Sequence, residues 1–177
     1  MAGMAPPVDR VQLQQLFQSV DKNNSGAIGV TELQNALSNG TWKPFNPTTV
    51  RTMIGMFDHN HTGNVTFDEF MSLWNYITEW LNCFRRFDAD NSGNIDRNEL
   101  FQALAQFGFN ISQQTLNNLM IKYDSDKKGS INFDDFIQCC VTLQGATQSF
   151  RQLDRYNSGR ITLTFEEFLN TVLRLSA

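Results

Sequence analysis

The chain has 177 residues, of which 41% are hydrophobic and 15 are Phe, so it has enough apolar material for one folded domain or two closely packed halves. Its net charge of −4 is mild, and its basic residues are scattered without a basic run, which argues against nucleic-acid binding. The longest uncharged stretch is broken by polar residues, so no membrane span is expected.

The N-terminal segment, Met1 to Pro7, has neither a charged-then-apolar signal pattern nor a Gly at position 2 for myristoylation. We expect residues 1–10 to form a short flexible tail ahead of a domain at 11–177. Three cysteines, two of them adjacent (Cys139 and Cys140), make no disulfide framework and favour a reducing compartment. The sequence therefore predicts a cytoplasmic or nuclear protein whose thiols are buried as small apolar groups.

Five twelve-residue stretches each open with Asp, carry Gly at position 6 and carry Ile or Val at position 8. This is the pattern of the Ca²⁺ loop of an EF-hand, which supplies oxygens from positions 1, 3, 5, 7 and 9 and two more from a Glu at position 12. Five copies in register predict a protein built around calcium. The loops are residues 21–32, 58–69, 88–99, 124–135 and 154–165.

The spacing of the loops predicts how their helices are connected. Loop starts at 21, 58, 88, 124 and 154 give alternating separations of 37, 30, 36 and 30 residues. Each shorter separation leaves 18 residues without Pro, at 70–87 and 136–153, enough for one helix of roughly 27 Å but not for two helices and a turn. We therefore expect helices shared between hands two and three and between hands four and five. The longer gaps contain helix breaks at 38–40, 44–47, Gly108 and Ser112.

Apolar residues stand four and one positions before each loop, the i, i+3 spacing of a helix that packs on a core. These pairs are Phe17/Val20, Ile54/Phe57, Phe84/Phe87, Met120/Tyr123 and Phe150/Leu153. In the first shared helix, an apolar stripe has further apolar residues beside it, which requires cover from more than one side. The stripe is Phe70, Leu73, Trp74, Ile77, Trp80 and Phe84, with Met71, Tyr76 and Cys83 outside it. The predicted fold class is all-α, with five helix-loop-helix units and short strands paired between loops.

Loops one and three have the most complete ligand sets, and we expect Ca²⁺ in both. Three carboxylates in direct contact with the ion predict the tightest binding at loop three. Its ligands are Asp88, Asp90, Ser92, the Asn94 carbonyl and Glu99, with Asp96 at the water-mediated position. Loop one is less charged, and Gly29 leaves its position 9 to water. Its ligands are Asp21, Asn23, Ser25, the Ala27 carbonyl and Glu32.

Loop two has acceptable ligand types, but Thr at position 5 is a weak, β-branched choice, and its occupancy stays open. Its candidate ligands are Asp58, Asn60, Thr62, the Asn64 carbonyl and Glu69. His59 and His61 occupy positions that point away from the ion. We interpret both as solvated loop residues and not as ligands of a transition metal.

Loops four and five depart from the pattern. In loop four, Lys128 stands at position 5 and the shorter Asp135 at position 12, which favours Mg²⁺ or no ion. In loop five, Tyr156 stands at position 3 and Phe165 replaces the bidentate Glu at position 12. We expect loop five to keep the EF-hand fold without binding calcium.

The fifth hand has no partner within the chain. EF-hands pair through a short antiparallel strand at position 8, so hands one with two and three with four satisfy each other. The fifth leaves an open edge at Arg160, Ile161 and Thr162, and open edges recruit partners. A second copy using the same surface is the simplest closure, which predicts a twofold dimer.

Five hands with this spacing and a degenerate fifth loop resemble the penta-EF-hand family. The resemblance extends from about Leu13 to the C-terminus and is dense at 36–42, 44–47, 74–80, 107–109 and 134–138. Family members usually carry a longer Gly/Pro-rich N-terminal segment, where this sequence has Ala2 to Pro7. Asn110 stands where a close family member has a basic residue.

The resemblance implies a Ca²⁺-dependent adaptor that binds proline-rich peptides of membrane-traffic and membrane-repair proteins and reaches membranes only through these partners. It implies calcium at loops one and three, and a dimer formed with itself or with another family member. It also implies an apolar pocket beside the third hand. The pocket residues would be Ile77, Trp80, Phe107, Leu143, Gln144 and Phe165.

The mechanism we expect is a population shift. Calcium at loop three would tie Asp88 to Glu99, and movement of the following helix would carry Phe107 away from Trp80. The alternatives are that Trp80 and Phe107 are permanent core, that the chain is a passive calcium buffer, or that it is the regulatory subunit of a calcium-activated protease. An enzyme is least favoured, because both histidines sit in one loop and no recognisable motif pairs a nucleophile with either.

Overall fold

The computed structural model describes residues 9–38, 45–124 and 126–175. Within these residues the chain forms eight helices and four two-residue strands, which confirms the all-α fold class. The helices are α1 (Arg10–Val20), α2 (Val30–Ser38), α3 (Pro47–Phe57), α4 (Phe67–Phe87), α5 (Arg97–Gln106), α6 (Gln113–Tyr123), α7 (Phe133–Leu153) and α8 (Phe165–Leu175). The strands are β1 (Ala27–Ile28), β2 (Val65–Thr66), β3 (Ile95–Asp96) and β4 (Ser130–Ile131). Most of the predicted tail, residues 1–8, lies outside the described residues.

The two predicted shared helices are present as α4 and α7, each of 21 residues. Each is longer than the 18-residue gap between loops because the last three loop positions already belong to the helix. At α4 this early start has a clear cause. Thr66 and Glu69 form a capping box, in which the side chain of each residue accepts the backbone N–H of the other.

The predicted helix breaks also occur. Gly108, at φ +83°, donates its N–H to Ala105 at 3.0 Å, and Phe109 donates to Leu104 at 2.9 Å, which is a Schellman end to α5. Ser112 then caps α6 by accepting the N–H of Thr115 at 3.2 Å. In the first gap, α2 ends at 38 and α3 begins at 47, while residues 39, 40 and 44 of the predicted breaks at 38–40 and 44–47 lie outside the described residues.

Strand pairing joins the loops two by two. β1 and β2 are antiparallel, with Ala27 opposite Thr66 and Ile28 opposite Val65. β3 and β4 repeat the arrangement, with Ile95 opposite Ile131 and Asp96 opposite Ser130. Hands one with two and three with four therefore pair as predicted.

The core is built around α4. Its buried residues are Phe70, Leu73, Ile77, Trp80, Phe84 and Phe87, while Met71, Trp74, Tyr76 and Cys83 are half-buried against the same core. This confirms that α4 is covered from several sides. Phe84 joins it to α7 through edge contacts with Phe133 and Phe136, at centroid distances of 5.2 and 5.6 Å.

The thiols follow the burial predicted for them in two of three cases. Cys139 and Cys140 are fully buried in α7, whereas Cys83 is half-buried. Burial raises the pKa of Cys139 to about 12 and raises the pKa of Cys140 as well. These two thiols act as small apolar groups of the core.

The fifth hand is the least covered part of the described fold. Phe150 is half-buried and Leu153 is 37% exposed, whereas Phe17 and Val20, at the corresponding positions before loop one, are buried. α8 leaves a row of apolar residues open to solvent, namely Phe165, Phe168, Leu169, Val172 and Leu173. Among the helices described, none combines the length and apolar character that crossing a membrane requires.

Candidate metal centres and the aromatic groove

All five loops share one turn. In each, the Asp at position 1 accepts the N–H of position 5 at 2.9–3.0 Å and the N–H of the Gly at position 6 at 2.7–3.0 Å. The Gly adopts φ between +69° and +79°, a conformation that L side chains rarely adopt. The position-1 carboxylate therefore organises the backbone of every loop, whatever stands at position 12.

Loop three brings its carboxylates together. Asp88, Asp90 and Glu99 each offer an oxygen, and these oxygens all lie within 4.8 Å of one another. One Glu99 oxygen accepts the N–H of Ala89 at 2.9 Å, and the other accepts the N–H of Asp96 at 2.9 Å. Both oxygens thus face the loop, as a bidentate ligand of a hard cation requires. The residues present fit Ca²⁺.

The polar groups of loop three favour the ionised form of Asp90. The Ser92 hydroxyl and N–H bond to Asp90 and lower its pKa below the ordinary value. The Ser92 hydroxyl oxygen also lies 3.1 Å from the Asn94 carbonyl oxygen, which places positions 5 and 7 on the same side. Asp96 uses its side chain as a helix cap instead, accepting the N–H of Glu99 at 2.8 Å.

Loop one repeats this arrangement with fewer charges. Glu32 accepts the N–H of Lys22 at 3.0 Å with one oxygen and the N–H of Gly29 at 3.1 Å with the other. The Ser25 hydroxyl donates to the Ala27 carbonyl at 2.8 Å. Asn23 accepts the Ser25 N–H at 2.8 Å, so hydrogen bonds join positions 3, 5 and 7 of this loop.

Loop two also has its candidate ligands held by hydrogen bonds within the loop. Burial acts to raise the pKa of Asp58, but N–H bonds from Thr62 and Gly63 outweigh it, and the pKa lies below its ordinary value. The N–H of Thr66 donates to Glu69 and lowers the pKa of that carboxyl too. Asn60 accepts the Thr62 N–H at 3.2 Å, and the Thr62 hydroxyl donates to the Asn64 carbonyl at 3.2 Å.

The histidines of loop two lie outside the ligand set. His59 is 78% exposed, with Nδ1 3.8 Å from Glu69. His61 is exposed at position 4, where its φ of +55° matches that of the residue at position 4 in the other loops. Both are solvated loop residues.

Loop four places a cation in its own site. The Lys128 ammonium lies 3.4 Å from the Asp126 carboxylate, so position 5 neutralises position 3. Asp135 at position 12 is buried. This arrangement weakens the attraction for a divalent ion.

Loop five keeps the turn but not the ligands. Tyr156 is 92% exposed and Phe165 is 79% exposed, so neither side chain faces a binding centre. The helix-capping carboxylate comes from Glu167, which accepts the N–H and hydroxyl of Thr164, both at 2.8 Å. The Thr-x-x-Glu spacing at 164–167 is the sequence signal for this capping box, which the loop pattern alone did not reveal.

Phe107 stands at the junction of two helices. Its ring packs edge-on against Trp80 and Phe87 of α4, at centroid distances of 6.0 and 5.7 Å, and it is still 37% exposed. A groove of about 690 Å³ borders one side of it, and a smaller one of about 360 Å³ borders the other. The larger groove is lined by Phe107, Gly108, Phe109, Gln144, Thr147, Gln148, Arg151 and Gln152.

The predicted pocket residues are distributed unevenly about this groove. Phe107 and Gln144 line it, while Ile77 and Trp80 are buried in the core behind. Leu143 is half-buried against the core. Phe165 lies at the start of α8 and is not among the lining residues. The rest of the α7 face was missed, although its residues follow Gln144 by three, four, seven and eight positions, which is a helical signal. These residues are Thr147, Gln148, Arg151 and Gln152.

The predicted dimer edge is uncovered. Arg160 and Thr162 are exposed, Ile161 is half-buried, and none of the three belongs to a strand in the described structure. The apolar face of α8 follows directly.

Comparison with known proteins places this architecture. A family model described as an EF-hand domain pair matches residues 10–74 and 77–140. Sorcin from Schistosoma japonicum is 44% identical over 164 residues, covering 93% of this chain and 95% of that protein. Human peflin is 40% identical over 168 residues, covering 94% of this chain and 59% of peflin, and Danio rerio peflin is 38% identical over 173 residues, covering 97% and 64%. The chain thus spans about three fifths of the peflins it matches.

A solved structure is also similar. A homolog of programmed cell death 6 protein from Leishmania major Friedlin superposes with a TM-score of 0.82 at 36% identity, covering 96% of this chain and 95% of that one. Fold, loops and relatives together define an EF-hand calcium-binding protein. Within that class, the chain belongs to the penta-EF-hand family, with sorcin, peflin and programmed cell death 6 protein as relatives. The resemblance seen in the sequence is confirmed.

Proposed function

We propose that this chain is a calcium sensor and adaptor, not an enzyme. It binds Ca²⁺ at loops one and three, dimerises through its fifth hand, and presents the groove beside Phe107 to proline-rich peptides of membrane-traffic or membrane-repair proteins. Loop two is a third candidate site, and loop four is a candidate for Mg²⁺. The protein works in the cytoplasm or nucleus and is recruited to endomembranes by its partners when calcium rises.

One observation carries this proposal: Phe107, which lines the groove at the end of α5, packs on α4, and loop three joins the same two helices. Asp88 follows the last residue of α4, and Glu99 lies in the first turn of α5. Phe107 ends α5 and packs back onto Trp80 of α4. Any change in the distance between Asp88 and Glu99 therefore acts on the contact that holds Phe107 in the groove wall.

The energetic requirement follows from linkage. Bound Ca²⁺ supplies positive charge that offsets the repulsion among Asp88, Asp90 and Glu99. The groove opens only to the extent that these carboxylates hold the ion more tightly in the open arrangement than in the closed one. A proline-rich segment is already extended, so little conformational entropy is lost when it docks on the wall formed by Phe107 and Phe109.

The dimer proposal is supported by the uncovered fifth hand. Residues 160–162 lack a strand partner in the described structure, and α8 presents five exposed apolar side chains on the adjoining surface. A second copy, or another member of the family, would cover both at once.

The sensor proposal is tested by Phe107→Ala. We expect capture on an immobilised proline-rich peptide to fall at least about tenfold, as for the loss of an aromatic anchor, while calorimetric Ca²⁺ binding stays within about twofold. Phe101→Ala is the matched control, since Phe101 lies in α5, the helix that Phe107 caps, and has the same 37% exposure but lines neither groove. Equal capture by wild type and F107A, or capture unaffected by a chelator, would rule out the gated groove.

A further inference from the structure

The strand register brings Gly29 of loop one opposite Asn64 of loop two. β1 and β2 pair Ala27 with Thr66 and Ile28 with Val65. The next facing pair in this antiparallel register is residue 29 with residue 64. Gly29 is position 9 of its loop, the position from which a side chain holds a metal-bound water, and Gly has no side chain to do so.

The Asn64 amide oxygen occupies the space that a side chain at residue 29 would take. A Cβ placed on Gly29 would lie 3.0 Å from Asn64 Oδ1 and 3.8 Å from Glu32 Oε2. The other end of the amide is anchored, because Nδ2 donates to the Thr62 carbonyl at 3.1 Å. The oxygen is thus directed at loop one, on the same side as its bidentate ligand.

The second pair of loops shows the same two positions filled the other way round. There Asp96, position 9 of loop three, faces Ser130, position 7 of loop four. The longer side chain belongs to the odd-numbered loop and the shorter one to its partner. In the first pair, the longer side chain, Asn64, belongs to the even-numbered loop and faces Gly29.

We infer that Asn64 serves as the position-9 group of loop one, with its amide oxygen holding the water that completes that calcium site. This inference rests on the proposed occupancy of loop one by Ca²⁺. Asn64 then acts on two sites, through its side chain at loop one and through its backbone carbonyl at loop two.

The test is a Ca²⁺ titration of the full chain followed by NMR at single amides. The Gly26 N–H bonds to Asp21 at 2.8 Å and reports loop one, while the Gly93 N–H bonds to Asp88 at 3.0 Å and reports loop three. We expect Asn64→Ala to raise the Ca²⁺ concentration at half-saturation of Gly26 by about threefold to tenfold, the value of one polar contact.

A matched substitution measures what else is lost with the amide. Asn94 stands at position 7 of loop three, and its Nδ2 donates to the Ser92 carbonyl at 3.3 Å, as Asn64 does to Thr62. Continuing the β3–β4 register sets Asn94 opposite Asn132, which has its own side chain. N94A therefore reports the loss of the anchoring bond alone. Gly93 lies in the same loop as Asn94, whereas Gly26 lies in the loop that faces Asn64. We expect N94A to change the half-saturating Ca²⁺ concentration at Gly93 less than N64A changes it at Gly26.

A rescue experiment decides between a water-holding role and a purely structural one. In the N64A background, Gly29→Ser restores an oxygen at position 9, whereas Gly29→Ala adds only the Cβ. We expect G29S/N64A to recover at least half of the free energy of Ca²⁺ binding that N64A loses at loop one. We expect G29A/N64A to recover none of it. In each variant, the dispersion of the calcium-loaded spectrum checks the fold.

Two results would overturn the inference while leaving the proposed function intact: an unchanged Gly26 titration in N64A, or equal affinities in G29S/N64A and G29A/N64A. A Gly26 amide that does not respond to Ca²⁺ in the wild-type protein would instead show loop one to be empty. That result would overturn both the inference and the proposed occupancy of loop one.

Discussion

Loops three and five fold the same turn and differ in what the turn can hold. Asp88 and Asp154 both accept two backbone N–H groups, at 2.9 and 3.0 Å in loop three and at 2.9 and 2.7 Å in loop five. Position 12 is Glu99 in one and Phe165 in the other. Positions 1 and 6 therefore build the EF-hand turn, while the ion site depends on position 12.

The following helices show why the difference extends beyond one residue. α5 begins at position 10, with Asp96 as its cap and Glu99 at the third helical position. α8 begins at position 12, and the matching cap is Thr164 with Glu167. Because the helix starts two residues later, the capping carboxylate leaves the loop. The surface gained is apolar, and we propose that it serves a second chain instead of an ion.

The largest expected effect comes from removing the position-12 carboxylate. Glu99→Gln should weaken Ca²⁺ binding at loop three by about a hundredfold or more, because one charge and one direct oxygen contact are lost. Calcium-dependent capture of a proline-rich peptide should disappear with it. The measurement is calorimetric titration followed by pull-down.

Glu167→Gln is the matched control for that change, since Glu167 makes the corresponding capping bonds in the fifth hand. We expect its calcium titration to superimpose on that of the wild type. If E99Q captured the peptide as well as the wild type does, loop three would not gate the groove.

The next largest effect concerns the apolar face of α8. Phe168→Glu should shift the chain from dimer to monomer in sedimentation equilibrium at micromolar concentration, weakening association by at least about tenfold, because a charge is buried without a partner. Ile121→Glu on α6 is the control, since Ile121 is 81% exposed but lies far along the chain from the fifth hand. A wild-type mass of one chain, with and without Ca²⁺, would refute the dimer.

A double substitution sharpens the comparison by giving loop five the side chains of loop three. Tyr156→Asp with Phe165→Glu restores carboxylates at positions 3 and 12. We expect only a weak additional site, with a dissociation constant on the order of 10⁻⁴–10⁻³ M, because α8 still begins too late to aim position 12 at the ion. If loop five then bound Ca²⁺ as tightly as loop three does, the position at which the following helix begins would have no influence on the affinity.

The smallest effect is a pH dependence of the turn itself. The Ser158 N–H lowers the pKa of Asp154, and together with the Gly159 N–H it outweighs the opposing effect of burial. Since the pKa is depressed in the folded state, the stabilisation is fully present above the unfolded value of about 3.9 and is lost as pH falls through the folded value. Urea unfolding should therefore show Asp154→Asn less stable than wild type at pH 7, with the gap narrowing at pH 3. If the difference in stability between wild type and Asp154→Asn were the same at both pH values, it would come from the shape of the side chain and not from its charge.

Much of the fold could be predicted because it depends on local spacing. A separation of 30 residues between loop starts leaves room for one helix, and α4 and α7 are those helices. Gly108 and Ser112 signal the end of α5 and the start of α6 through their own backbone bonding. The capping box at Thr164 is equally local, but it was not predicted because its carboxylate, Glu167, lies beyond the twelve-residue loop pattern.

The groove was only partly predictable because its walls come from separate helices. Phe107 and Gln144 lie 37 residues apart in sequence and meet across one groove. Arg151 lies in the same wall as Gln144 because both are on one face of α7. Phe165, which the family resemblance placed in the pocket, is exposed to solvent instead. Burial of Trp80 behind Phe107 depends on how α4 and α5 pack.

The sequence by itself determined which oxygens each loop offers and which helices are continuous, since ligand chemistry and helix length are properties of consecutive residues. Only the tertiary structure decided that Asn64 lies against Gly29, that Phe107 joins loop three to a groove, and that α8 is left uncovered. The physical reason is that strand register and helix packing minimise the free energy of the whole chain, and no short segment contains that information.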